Sequence, residues 1–242
     1  MHPLDNVIWQ ALTTRQAHFA ETYNGARRFV PEVTLLTAFE QPSDHNYAAL
    51  GELIGHGATA AVFLEQPYEP RGGWDFVAGA PLLQMVCGNG PTAIESSNVH
   101  ILELGLADSS DMLELTALTK PGPFGPRTHE LGSYVGVRQS GKLVAMAGER
   151  LKVLGHTEVS AVCTHPDHVG KGYAGVLMLE IMRGIRQRGE IPFLHVRQDN
   201  TRAVQLYERL GFRTRKLTHF AVLRRAKTTA LRRSQTRPYE RL

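Results

Sequence analysis

The stretch Thr164-His165-Pro166-Asp167-His168-Val169-Gly170-Lys171-Gly172-Tyr173-Ala174-Gly175 decides how this chain of 242 residues is interpreted. The residues before it predict a buried strand, and the apolar positions 173, 176, 177, 181 and 185 predict an amphipathic helix after it. Because Gly170 and Gly172 carry no side chains, main-chain N–H groups stay uncovered beside a helix N-terminus, which carries about half a positive charge. The turn therefore predicts an anion site suited to a pyrophosphate, and Lys171 adds a positive charge.

Two kinds of cofactor compete for this turn. The spacing Gly170-x-Gly172-x-x-Gly175 also matches the dinucleotide fingerprint, which needs a strand that runs almost directly into the first glycine within a βαβ unit. Here Pro166-Asp167-His168 separates the strand from the turn, and the acidic residue about 20 positions on, Glu190, falls in a turn. These features disfavour a nicotinamide or flavin site, and the other candidate is the cofactor that the resemblance of residues 131–223 to a known family implies.

The segments around the turn predict a mixed α/β protein. An antiparallel meander is predicted over residues 133–138, 142–153 and 158–164, with strands at 33–39, 58–64, 74–87, 100–104, 191–196 and 217–223. Helices are predicted over 44–54 behind Ser43, over 108–118, and from an Asn200 cap to Gly211. The proline-rich residues 121–126 predict a rigid loop, and no internal repeat is evident.

Residues 131–223 resemble the GNAT superfamily of acyl-CoA-dependent N-acyltransferases. The family's pyrophosphate motif, [Q/R]-x-x-G-x-[G/A], is similar to residues 169–174, although Val169 stands where the family usually has Gln or Arg. Residues 200–212 match the signature N-x-x-A-x-x-x-Y-x-x-x-G-F at every defined position. The resemblance covers about the C-terminal 120 residues and leaves residues 1–95 unexplained.

The resemblance implies a twisted, mostly antiparallel sheet that splays at 158–164, with helices on both faces. It also implies transfer of an acetyl group from acetyl-CoA, without a metal, to a primary amine of a small molecule or protein. The implied catalytic residues are Tyr207 as acid and Glu158 as possible base. The implied coenzyme contacts are Val162, Cys163, Thr164, Val169, Gly170, Lys171, Gly172, Tyr173, Ala174, Asn200 and Tyr207.

Other interpretations of single residues are weaker. His165 and His168 lack a third ligand nearby and do not predict a metal site. His195, on an apolar strand, is more typical of a core histidine, and Cys163 is more typical of a small buried side chain than of a nucleophile.

Three segments are predicted along the chain. Residues 1–97 form an α/β segment, either a degenerate second GNAT-like lobe or an acceptor-binding extension, residues 98–225 form the acetyltransferase domain, and residues 226–242 form a basic tail. Residues 224–242 hold seven basic side chains and one acidic side chain, a net charge of +6, so the overall +4 leaves −2 for the rest. The charge therefore does not predict a nucleic-acid surface on the body. An alternative function is a catalytically silent acyl-CoA sensor or a nucleic-acid-associated module anchored by this tail.

Composition excludes several classes of protein. With 42% apolar and 21% charged residues the chain is typical of globular proteins and not of disordered ones. No apolar run of about 18 residues predicts a membrane span, and residues 1–6 do not predict a signal peptide. Two cysteines, 76 positions apart, fit neither a disulfide framework nor a zinc site, which favours the cytoplasm.

Overall fold

The computed structural model of the chain describes residues 2–88 and 99–227. The predicted boundary at 97/98 and the tail beyond Lys227 lie outside the described residues. Five α-helices occur in the described part of the chain: α1 Val7–Thr13, α2 Asp44–Ile54, α3 Ser109–Thr119, α4 Tyr173–Gln187 and α5 Thr201–Arg209. The strands there are β1 Ala20–Tyr23, β2 Ala26–Phe29, β3 Thr37–Phe39, β4 Thr59–Leu64, β5 Trp74–Val86, β6 Leu102–Leu104, β7 Tyr134–Gln139, β8 Lys142–Val153, β9 His156–Thr164, β10 Ile191–Arg197 and β11 Arg213–Arg225.

One eight-stranded sheet dominates the fold, with the strand order β4-β11-β5-β10-β9-β8-β7-β6. All neighbours in it are antiparallel except β9 and β10, which α4 connects as a parallel pair. Their pairing runs from Ile191↔His156 to Phe193↔Glu158 and then stops. Beyond Glu158 the two strands diverge, so the predicted mostly antiparallel sheet with a splay at this strand is confirmed.

Helices cover both faces of this sheet, as predicted. The amphipathic α4 buries Leu177, Met178, Ile181 and Ile185 against one face, and partly buried residues of α5 pack on the same core. On the opposite face α1 buries Ile8 and Leu12 beside strand residues such as Phe193, and α3 buries Met112 and Leu115 beside β8 and β9. Burying such side chains is the main favourable contribution to folding, at about 25 cal/mol per Å² of apolar surface.

A smaller sheet of β1, β2 and β3 lies beside β4. Its strands are antiparallel, and a single parallel bridge between Leu36 and Ala61 joins it to β4. The order of three antiparallel strands, a helix and a strand parallel to the third therefore occurs twice, once as β1-β2-β3-α2-β4 and once as β7-β8-β9-α4-β10.

The local sequence signals predicted most of these elements. Helix α2 begins behind Ser43, whose Oγ accepts a hydrogen bond from the Asn46 N–H, and Gly211 follows α5 with a φ of +89°. Two predictions are corrected. The β-rich residues 33–39 form a strand only at Thr37–Phe39, and the predicted strand at 217–223 is part of the longer strand β11, Arg213–Arg225. The elements α1, β1 and β2 were not predicted.

Strands on both sides of the predicted boundary at 97/98 share one sheet. β5 lies between β10 and β11 and is antiparallel to both, and β4 pairs with β11. Within residues 2–88 and 99–227, no helix combines the length and the apolar character that a membrane span requires.

Candidate active site

The glycine turn before α4 presents bare main chain to its surroundings. Gly170 and Gly172 have φ values of +89° and +79°, a left-handed region that glycine adopts at no steric cost. A Cβ built on either glycine would meet no atom within 4 Å, so the space beside the turn is open. Val169, which precedes the turn, is 45% exposed.

The first turn of α4 is not capped by a side chain. Gly172 is its N-cap residue, and the first residues of the helix are not acidic. The N–H groups at the helix start therefore keep their capacity to bind an anion. Lys171 adds an ammonium group whose Nζ lies 3.2 Å from Nδ1 of His168. Tyr173 is buried in the core, so its main chain faces the turn and its side chain does not. The next residue, Ala174, likewise contributes its main-chain N–H to the start of the helix.

The last part of β9 leads the chain into this turn through a distorted segment. Between the pairs Gly148↔Ser160 and Met146↔Cys163, two residues of β9 oppose one residue of β8, and Ala161 has a φ of +52°. Val162 packs on the α4 side, whereas Cys163 is buried on the α3 side. Burial raises the pKa of the Cys163 thiol to about 11, so the thiol keeps its proton at neutral pH.

The helix α5 brings the signature residues to the α4 side of the sheet. Asn200 is its N-cap, and Oδ1 accepts a hydrogen bond from the Ala203 N–H at 3.2 Å. Tyr207 packs partly buried against the core shared with α4, with its ring 6.1 Å from that of Phe212. Burial raises the pKa of Tyr207 to about 12, so its phenol stays protonated at neutral pH.

Glu158 lies at the last paired position before the strands diverge, in a buried ion pair. Its two oxygens accept hydrogen bonds from Nε and Nη2 of Arg150, both at 2.8 Å, and from the Leu151 N–H at 3.3 Å. Oε1 also lies 2.7 Å from Nδ1 of His195. Although full burial alone would raise the pKa of Glu158, the charge and hydrogen bonds of Arg150, and then His195, lower it to about 2.

His195 extends this pair into a longer polar chain. An ionised carboxylate only accepts, so Nδ1 of His195 donates to Glu158 and Nε2 accepts from the Gln84 amide at 3.1 Å. Gln84 in turn donates to the Leu4 carbonyl and accepts from Arg215, which also donates to Asp5 at 2.5 Å.

The roles of Arg150, Gln84 and Arg215 in this hydrogen-bonded network were not predicted from the sequence. The signal that was available is the charged pair Glu149-Arg150, which follows the apolar residues 143–147 within one predicted strand. Neither residue is exposed, and a charge that is buried in a sheet needs a partner.

The predicted site residues divide between the two faces of the sheet. The glycine turn, Val162 and Tyr207 lie on the α4 side, whereas Glu158 and Cys163 point to the opposite face. The gap between the diverging β9 and β10 separates the two groups. A substrate that reached through the gap from the glycine turn would come into contact with both faces.

The part of the chain that the structure describes contains no evident metal site. No group of three or more His, Cys, Asp and Glu side chains comes together there. The rings of His165 and His168 lie 5.8 Å apart, and Nδ1 of His165 accepts a hydrogen bond from the Asp167 N–H.

Comparisons with known proteins agree with this geometry. The family model of FR47-like proteins matches residues 134–221. The N-alpha-acetyltransferase RimI of Mycobacterium tuberculosis is 34% identical over 131 residues, which cover 49% of this chain and 80% of that protein.

Solved structures extend the similarity to nearly the whole chain. An acetyltransferase of the GNAT family from Novosphingobium aromaticivorans is 34% identical, with a TM-score of 0.86 over 94% of this chain and 100% of that one. A GCN5-related N-acetyltransferase from Kribbella flavida, 17% identical with a TM-score of 0.60 over 92% of this chain and 96% of that one, shares the fold. The chain is therefore a member of the GNAT family of N-acetyltransferases.

Proposed function

We propose that this enzyme transfers the acetyl group of acetyl-CoA to a primary amine. The observation that carries the proposal is the open glycine turn at the uncapped start of α4, a few residues after the strand that diverges from β10. Residues 169–174 fit the coenzyme's pyrophosphate because they offer N–H groups, a helix N-terminus and the Lys171 ammonium to an anion. The unpaired edge of β9 at Val162, Cys163 and Thr164 fits the extended pantetheine arm, and Asn200 is proposed to contact the coenzyme from α5.

The reaction requires two proton transfers. An alkylammonium with a pKa near ~10.4 has no lone pair at neutral pH, so the amine must lose a proton before it attacks the thioester carbon. The bond from nitrogen to the acetyl carbon forms, the carbon–sulfur bond breaks, and the thiolate leaves with its electron pair. Main-chain N–H groups around the distorted segment at Ala161 are proposed to stabilise the oxyanion that develops on the carbonyl.

Tyr207 is proposed as the acid that protonates the leaving thiolate. Its phenol is protonated at neutral pH and lies among partly buried apolar side chains on the coenzyme side of the sheet. The same desolvation raises the basicity of a thiolate formed beside it, so the proton transfer from the buried phenol is less unfavourable than the transfer to an exposed thiolate would be.

Glu158 is proposed to act on the amine from the other face of the sheet. With a pKa of about 2 and four hydrogen bonds already accepted, its carboxylate is a weak base by itself. Its contacts favour a role in which it orients His195 and Arg150 at the gap and stabilises positive charge there. The base function predicted from the sequence stays a prediction.

The acceptor class rests on the relatives. The mycobacterial relative is named as an N-alpha-acetyltransferase, which supports an α-amino group of a protein or a small molecule as the acceptor of this enzyme. The two cysteines are free and buried, which supports a reducing compartment such as the cytoplasm.

Residues 1–97 are proposed to be a degenerate second lobe of the same kind. The repeated order of strands and helix, and the parallel bridge that joins β3 to β4 across α2, support this proposal. Strands β4 and β5 of this segment lie in the eight-stranded sheet with the strands of residues 98–225, so we do not expect either lobe to fold alone.

The decisive experiment combines binding with turnover. Isothermal titration of the full chain with acetyl-CoA is expected to give a single site, and a panel of primary amines is expected to release free coenzyme thiol. Failure to bind at millimolar acetyl-CoA would refute the proposal. Binding without thiol release from any amine would favour a silent acyl-CoA sensor instead.

A further inference from the structure

A cavity of about 440 Å³ lies in the gap between β3 and β4, away from the glycine turn. The strands are bridged at Leu36 and Ala61 and lie apart beyond that point, where residues 37–39 and 62–64 line the cavity. Helix α2 contributes Tyr47 to the lining, and the chain around α1 contributes Asp5 and Ile8. The cavity thus occupies the same place in the first repeat that the gap between β9 and β10 occupies in the second.

The chain that enters α2 differs in chemistry from the glycine turn that enters α4. It reads Glu40-Gln41-Pro42-Ser43-Asp44 and contains no glycine. Oγ of Ser43 already accepts the Asn46 N–H at 3.2 Å, and Asp44 places a negative charge in the first turn. A pyrophosphate would meet a filled cap and two carboxylates there, so this cavity is not a second coenzyme site.

The rim of the cavity is acidic. Its lining includes four carboxylates, from Asp5, Glu40, Glu65 and Glu69, but only one basic side chain, Arg71. Arg71 is paired with Asp44, and neighbouring basic residues pair with Asp5 and Glu65. Within the described residues the carboxylates of Glu40 and Glu69 form no ion pair, so the rim keeps a local charge of about −2.

The walls of the cavity are aromatic and apolar. Phe39, Tyr47, Phe63 and Tyr68 line it together with Ile8, Ala38, Val62 and Leu64. Aromatic faces attract cations, and a volume of this size is typical of small-molecule sites. The Tyr68 hydroxyl is buried and has no hydrogen-bond partner among the described residues, so the cavity wall beside it stays free of a competing polar contact.

We infer that this cavity binds a small organic cation, a primary ammonium group on an aromatic or branched apolar body. The carboxylate rim recognises the ammonium group, and the aromatic walls hold the body. The cavity also contacts the candidate active site, because the ring of Phe63 lies 4.6 Å from that of His195. The ligand is either an acceptor amine of the proposed reaction or an effector that acts through His195. The inference on ligand class holds in either case.

The test is direct binding to the full chain without acetyl-CoA, with 2-phenylethylamine as the probe. Its matched neutral and anionic analogues, 2-phenylethanol and 3-phenylpropionate, share its body and differ in the polar end. The amine is expected to bind at least about tenfold more tightly than the carboxylate.

The double variant Glu40→Gln/Glu69→Gln is expected to weaken amine binding by about three- to tenfold. Glu52→Gln, an exposed carboxylate of α2 outside the cavity, is the control and is expected to change nothing.

Several outcomes would overturn the inference. They are equal binding of the amine and the carboxylate, unchanged binding in the double variant, no binding at millimolar amine, and displacement of the amine by acetyl-CoA. A turnover assay then separates the two sources of ligand. If the amine is acetylated and the double variant raises its KM, the cavity holds the acceptor, and if the amine binds without being acetylated, it is an effector site. Because binding is measured without acetyl-CoA, failure of the proposed acetyl transfer leaves this result intact.

Discussion

Nδ1 of His195 lies 2.7 Å from Oε1 of Glu158, and this contact ties β10 to β9 at the level where the two strands separate. The last main-chain pair is Phe193 with Glu158, so the side-chain contact acts just where the ladder ends. Arg150 holds the same carboxylate from β8. The three side chains therefore fix the point from which the gap between the strands opens.

The buried ion pair makes the stability of the protein sensitive to acid. The pKa of Glu158 is about 2 in the folded chain against an ordinary 4.5, so its stabilising contribution is complete above about pH 4.5 and is lost as the pH falls towards 2. We expect a loss of about 3 kcal/mol in the free energy of unfolding from this group. Denaturant titrations at pH 6 and pH 2.5 give this loss for the wild type and for the double variant Arg150→Met/Glu158→Leu, which lacks the pair. An equal loss in both proteins would contradict the prediction.

Breaking the pair is expected to cost more than removing it. Arg150→Met leaves the Glu158 carboxylate buried with its main counter-charge gone, which should lower the free energy of unfolding by about 3–5 kcal/mol. Arg150→Met/Glu158→Leu removes both charges and should recover most of that loss. The measurement is urea unfolding of the wild type, of the single variants Arg150→Met and Glu158→Leu, and of the double variant. A double variant no more stable than either single variant would rule out charge burial as the cause.

Tyr207→Phe separates catalysis from binding. The phenol is partly buried and forms no hydrogen bond within the described residues, so its loss should change the melting temperature little. If Tyr207 donates the proton, turnover should fall by about 100-fold or more. The affinity for acetyl-CoA should stay within about twofold of the wild type. Tyr23→Phe, at a tyrosine that is 47% exposed on β1, is the matched control. Unchanged turnover in Tyr207→Phe would exclude the acid role.

Local signals in the sequence were sufficient to predict the elements on the α4 side of the candidate site. The glycine turn, the apolar stripe of α4 and the Asn200 cap depend on residues that are close together in the chain, and the structure places each of them at its predicted position. The resemblance to the GNAT superfamily then linked the glycine turn to the signature at residues 200–212, and helices α4 and α5 of these two segments pack on the same core.

Contacts across the sheet could not be predicted in this way. Arg150 reaches Glu158 because two residues of β8, Arg150 and Leu151, lie between the pairs Glu149↔Val159 and Lys152↔Thr157, where β9 has only Glu158. Such a bulge depends on strand register, which the hydrophobic pattern alone does not specify. The position of β5 between β10 and β11 likewise joins residues more than 100 positions apart.

Cys163→Ala tests whether the acetyl group passes through a covalent intermediate. The thiol is buried on the α3 side, and its pKa of about 11 leaves almost no thiolate at neutral pH. We therefore expect the variant to keep at least about half of wild-type turnover, with a loss of stability of about 1 kcal/mol from the small cavity. Thiol-release kinetics with two varied substrates measure turnover, and Cys87→Ala serves as the control for loss of a buried cysteine. Complete inactivation of a folded Cys163→Ala protein would indicate a cysteine nucleophile.

Gly172→Ala tests whether the glycine turn binds the coenzyme, with a control of similar backbone strain. Gly172 and Gly155 have φ values of +79° and +71°, and a Cβ at either position meets no atom within 4 Å. Each alanine should therefore lower the free energy of unfolding by about 1–2 kcal/mol, the cost of a left-handed residue with a side chain. Only Gly172→Ala places a methyl group beside the N–H groups of α4, so it alone should weaken acetyl-CoA binding, by about tenfold or more. Gly155 lies in the turn between β8 and β9, at the far end of β9, and its variant should bind as the wild type does. Calorimetric titration of both variants decides the matter, because an equal loss of affinity would trace the effect to strain, and no loss in Gly172→Ala would move the pyrophosphate away from this turn.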